Sequence, residues 1–97
     1  MATYIMLMRY TQQGIEKIKE GPSRLDASKK IFESMGAKVK DFYLVMGQYD
    51  TVAVIEAPDD ETISKLALGV GSKGAVRTET LRAYTEDEFR KIVAGLP

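Results

Sequence analysis

Six residues in this sequence have types and spacing that could do chemistry: the pair Arg9-Tyr10, the pair Tyr49-Asp50, and Arg77 two positions before Glu79. A guanidinium can grip a carboxylate or phosphate through two parallel hydrogen bonds, and a neighbouring carboxylate can orient it or accept a proton. Arg77 is therefore a candidate anion anchor, and Glu79 a candidate orienting group, base or metal ligand. Asp50 can bond backbone amides near a turn, while Tyr49 can lay its ring on an edge and keep its hydroxyl wet. Two readings stand for the stretch "MGQYDT" that holds this second pair: a hairpin turn, in which Gly47 supplies a positive φ, or a ligand loop. For Arg77 and Glu79 the alternative to a site is a solvated edge strand whose charges discourage unwanted pairing.

Composition narrows the chemistry. With 97 residues, 44% of them hydrophobic, the chain fits a single domain spanning 1–97, near the size at which one core becomes adequate and a partner chain would help. Fourteen basic and fourteen acidic residues cancel and are interspersed, so there is no basic footprint for nucleic acid. Cysteine and histidine are both absent, which removes disulfides, thiol nucleophiles, iron–sulfur clusters, zinc ribbons and the commonest general base and haem ligand. No metal and no cofactor is expected, and any catalysis must run on carboxylates, Lys, Arg, Tyr, Ser or Thr. The start, "MATYIMLMRYT", is apolar but short and has no basic n-region, so it reads as a strand; a cytoplasmic protein with no membrane segment is the expectation.

The elements that must position these groups can be read in order. Residues 3–10 are dense in strand formers and apolar on both alternating sets, with Tyr4, Met6, Met8 and Tyr10 on one side. That set could wall an apolar pocket, since methionine packs adaptably, or serve as core or interface. Residues 11–21 read as a short helical turn. The helix "SRLDASKKIFESM" follows, with Leu25, Ile31, Phe32 and Met35 as its inward stripe and Gly36 at its end. Strands over 38–46 and 51–57 flank the hexapeptide as a hairpin. Pro58 and three successive carboxylates then open a helix, and dipole complementation explains Asp59, Asp60 and Glu61 without a metal. Ile63, Leu66, Ala67 and Val70 repeat along it, and Gly69, Gly71 and Gly74 close it; "GVGSKG" has the wrong spacing for a phosphate loop. A more polar strand over 75–84 and a last helix capped by Thr85, with Phe89, Ile92, Val93 and Leu96 as its apolar stripe, complete the chain.

The order is βαββαβ with a helix appended, the ferredoxin-like α+β signature: one four-stranded antiparallel sheet with helices on one face. In the usual strand order 4-1-3-2, the six residues named first gather at one rim.

The segments "GQYDTVAVIEAPDDE" and "LALGVGSKGAVRTETLRAYTEDEFRKI", with "YTQQGIEKIKEGPSRLDASKKIFESMGAKVKDFYLVMG" before them, resemble the GYD domain family over nearly the whole chain. Gln48 lies between Gly47 and Tyr49-Asp50, so a literal Gly-Tyr-Asp tripeptide is absent. The resemblance implies a dimeric α+β barrel and a family without an established activity. The Gly-x-Tyr-Asp turn, the acidic helix start and Val-Arg-Thr-x-Thr also resemble, more distantly, the effector domain of leucine-responsive regulators, which assembles and binds small amino acids between subunits; their helix-turn-helix is not in this sequence.

The leading reading is a small homo-oligomeric domain whose partner is itself, with a cavity for a small anionic molecule. The alternatives are an amino-acid effector module and a cofactor-independent α+β-barrel oxygenase or isomerase. The enzyme would use Asp50 or Glu79 as base and Arg9 or Arg77 to hold an anionic intermediate.

Overall fold

A computed structural model describes residues 1–97. Strand β1 (Ala2–Tyr10) leads through helix α1 (Gln12–Glu16) and a 3₁₀ turn (Ile18–Glu20) into α2 (Gly21–Ser34). The chain continues as β2 (Lys38–Leu44), β3 (Thr51–Ala57), α3 (Asp60–Ser72), β4 (Val76–Ala83) and α4 (Glu86–Ala94). The four strands form one antiparallel sheet in the order β2-β3-β1-β4, the ferredoxin-like arrangement.

Alternation sets the two sheet faces. Tyr4 and Met6 of β1 lie with Ala53, Ile55 and Ala57 of β3 on the helix-covered side, buried against Phe32, Ile63 and Leu66. Across from them on β4, the Oγ1 of Thr80 is buried with no hydrogen-bond partner. The opposite set, which includes Ile5 and Leu7 of β1, Val52 and Val54 of β3 and Leu81 of β4, faces away from the helices. The first four are half-buried and Leu81 is exposed.

Several boundaries differ from the sequence reading. The segment 11–21 holds both α1 and a 3₁₀ turn, and α2 begins at Gly21 with Pro22 in its first turn, where the missing N–H is no loss. Of the expected α2 stripe only Phe32 is buried; Leu25 is half-buried, and Ile31 and Met35 are exposed. The face turned toward the sheet is instead Gly21, Leu25, Ser28 and Phe32, spaced by four, three and four, which leaves Ile31 and Met35 off it. Gly69 and Gly71 lie inside α3, and Gly74 (φ +85°) alone marks its exit. Strand β2 stops at Leu44 instead of Met46. Beyond the last ladder pair, Leu44 with Thr51, the Asp50 N–H donates to the Met8 carbonyl at 2.9 Å and so docks the loop on β1, and the hairpin adds one bond, Val45 N–H to the Asp50 carbonyl at 2.8 Å.

Helix α4 is well capped. The Thr85 hydroxyl accepts from the Glu88 N–H and the Glu88 carboxylate accepts from the Thr85 N–H, a capping box that also holds the Glu88 carboxyl below its usual range. Its apolar stripe nevertheless stays exposed at Phe89, Ile92, Val93 and Leu96. No helix in the chain is long and apolar enough to cross a membrane.

Candidate functional site

Register brings the six sequence-derived residues to one end of the sheet. Arg9 and Arg77 are direct cross-strand partners in β1 and β4, and Leu7 faces Glu79 one pleat away on the same side. The loop between β2 and β3 comes over this corner. Gly47, at φ +118°, turns it, and a Cβ there would meet nothing within 4 Å, so the need for glycine is conformational.

Four of the six side chains, Arg9, Tyr49, Asp50 and Glu79, then find a specific partner. The Tyr49 hydroxyl donates to Oε2 of Glu79, and this bond, ahead of any other influence, raises the Tyr49 phenol above its ordinary value. Arg9 lies over the Tyr49 ring at 4.5 Å from its centroid and donates through Nε to the Gln48 carbonyl at 2.6 Å. Oδ2 of Asp50 accepts the Tyr10 N–H at 2.9 Å, so Asp50 ties loop to strand through both its backbone and its carboxylate. Together with Leu7 and Thr78, Arg9, Tyr10, Tyr49, Arg77 and Glu79 line an open depression of about 480 Å³.

The chemical character of the corner follows from this bonding. Like charges directly opposed on neighbouring strands repel. Here Glu79 stands one pleat from Arg77, but its carboxylate already accepts the hydrogen bond of the Tyr49 hydroxyl. The guanidinium of Arg77 enters no ion pair within the chain. The arrangement can therefore receive an anion between two cations, with an aromatic ring on one side.

A second polar cluster, at the opposite end of the sheet, was not singled out from the sequence. The Tyr4 hydroxyl donates to Oδ1 of Asp60 at the start of α3, and Arg82 lies over the rings of Tyr84 and Tyr4 at 4.4 and 5.6 Å. Burial first, and then the Asp60 carboxylate, push the Tyr4 phenol up to about 12. The available signal was the tyrosine at the head of an otherwise apolar alternating set, whose hydroxyl needs a partner once its ring is buried.

An α+β sheet covered by helices on one side, with an open polar corner at one end, defines a small ferredoxin-like domain. The chain belongs to the GYD family: the GYD domain model matches residues 4–93. It is 36% identical over 84 residues, covering 86% of this chain and 88% of the relative, to a Thermus thermophilus protein described as glutamine synthetase and cystathionine beta-lyase binding protein. A crystal structure of a protein from Thermus thermophilus superposes with a TM-score of 0.56 at 29% identity, covering 88% of this chain and 95% of that one. A hypothetical protein from Pyrococcus horikoshii shares the fold, with a TM-score of 0.55 at 23% identity over 89% of this chain and 93% of its own.

Proposed function

We propose that this chain is a self-associating protein-binding module, two copies of which join through the uncovered sheet face and the stripe of α4 to present a surface to a metabolic enzyme. Excess surface carries the reading. The chain exposes 6724 Å², whereas a compact monomer of 10.8 kDa exposes about 5,500 Å², leaving ~1,200 Å² in excess. A standard interface takes about 800 Å² from each partner, so the excess is enough for one. Its position supports a second copy, because two apolar surfaces left bare in one chain can cover each other across a twofold axis.

The name of the Thermus relative supports the kind of partner: enzymes of amino-acid metabolism. The test is calorimetric titration of this protein against glutamine synthetase and cystathionine beta-lyase from its own source. Saturable micromolar binding to either one is expected. A clean dimer that binds neither would leave self-association standing and remove the partner assignment.

One observation favours a second reading, in which the corner at Arg9 and Arg77 holds a small carboxylic acid. The opposed guanidiniums are without a shared counter-ion, and both nearby carboxylates arrive already bonded, Asp50 to the Tyr10 amide and Glu79 to the Tyr49 hydroxyl. That favours gripping an anion over abstracting a proton. Small carboxylic acids titrated into the native protein and an Arg77→Ala variant should bind the first more tightly; equal affinities would make Arg77 a surface ion.

A further inference from the structure

A partly open apolar space lies on the helix-covered side of the sheet, and Tyr10 borders both it and the rim depression. Between α2 and the strands is a cavity of about 200 Å³. Its floor includes Met6 and Met8 of β1, and its roof includes Leu25 and Phe32 of α2. Protein interiors rarely leave voids much larger than a water molecule, and an apolar cavity of about 150 Å³ is already enough to hold a benzene ring. This one is larger and is walled by side chains that adapt to what they touch, methionine above all.

Charge on the lining is one-sided. Arg24 and Lys73 are the only charged residues around the cavity, and both are cationic. Both also reach solvent, Arg24 half-buried and Lys73 exposed. Arg24 is held only loosely by Glu20, at 3.9 Å on the same helix, and Lys73 enters no ion pair. Thr51, the one buried polar residue of the chain, also lines the cavity.

We propose that this cavity is a binding site for an amphipathic monocarboxylic acid, its apolar body lying between α2 and the sheet and its carboxylate between Arg24 and Lys73. The volume fits a phenyl ring on a short chain, or a straight tail of about six to eight carbons. The proposal uses neither the open sheet face nor the Arg9–Arg77 corner, so it stands or falls independently of self-association.

Methionine gives the test an internal control. Met6 and Met8 line the cavity, whereas Met1, Met35 and Met46 are exposed elsewhere. With the methionine methyls labelled, octanoate and 3-phenylpropanoate are titrated into the full chain and followed by NMR. Saturable shifts at Met6 and Met8, with the other three unmoved, are expected. Shifts of all five alike, or no saturable change up to millimolar acid, would overturn the proposal. Filling the floor with Ala53→Met should abolish the response; if that variant does not fold, Ser28→Leu fills the space from the helix side. Unchanged affinity in a folded filling variant rejects the site. The paired change Arg24→Gln and Lys73→Gln should weaken octanoate about tenfold and leave 1-octanol unaffected, and an equal effect on acid and alcohol would refute the assigned carboxylate contact.

Discussion

At the scale of single residues, the corner separates side chains that shape the chain from those that only decorate it. Gly47 is a shaping residue: at φ +118° a β-branched side chain is strained, although nothing blocks it in space. Gly47→Val should lower stability by about 1–3 kcal/mol. Tyr49→Phe, which removes an exposed hydrogen bond to Glu79, should cost less than Gly47→Val. Thermal melts of the two variants decide the matter, and a larger loss for Tyr49→Phe would show that the hydroxyl bond organises the loop. The sequence made this corner legible because Arg9, Tyr49 and Asp50 are polar groups at the ends of apolar runs, and Arg77 and Glu79 open the polar strand whose pairing register with β1 brings them together. It could not reveal that Asp50 would dock on β1 instead of β2, since that choice depends on which backbone amides remain free after the sheet forms.

At the scale of elements, close approach matters more than propensity. Gly14 and Gly69 both sit in helices, where alanine ordinarily gains about 0.5–1 kcal/mol over glycine. A Cβ on Gly14 would lie 2.0 Å from the Ala75 carbonyl oxygen, because α1 is drawn onto the chain before β4 by the Thr11 N–H donating to that oxygen at 3.0 Å. A Cβ on Gly69 would meet nothing within 4 Å. Gly14→Ala should therefore destabilise by about 2–3 kcal/mol, and Gly69→Ala should stabilise by about 0.5–1 kcal/mol. Chemical denaturation of both variants checks the opposite signs.

The junction of β1 with α3 carries a pH dependence. With its phenol raised from 10.0 to about 12 in the folded state, Tyr4 binds its proton more tightly folded than unfolded. Its stabilising contribution is complete below pH 10 and is lost as pH rises toward 12. The melting temperature should fall over that interval, and Tyr4→Phe should flatten the fall. Identical alkaline profiles would show that other tyrosines cause it. Strand order, helix number and the capped start of α4 were readable because each has a local cause in alternation, spacing or capping. The rotation of α2 was not, because the side it buries is set by contact with a sheet that no local pattern describes.

At the scale of the whole molecule, shape argues for assembly. The chain measures 51 × 31 × 18 Å, and its radius of gyration of 14.6 Å exceeds the roughly 12.5 Å of a compact domain of this length. Only 11 of 97 residues are buried, too few for a core of generous stability, while α4 shows its apolar stripe to solvent. A periodic stripe in the sequence says that a helix is amphipathic; it does not say whether the surface it covers belongs to its own chain. If a second copy supplies that surface, the protein is a dimer at micromolar concentration by light scattering, and removing the apolar contact separates it. Phe89→Glu with Ile92→Lys changes only exposed positions of α4, so circular dichroism should show an intact fold while the mass falls to that of one chain. A native protein of monomer mass would refute the dimer outright. A double variant that stays dimeric would instead assign the interface to the sheet face alone, where Leu81→Lys, at another exposed position, is then the change expected to break it.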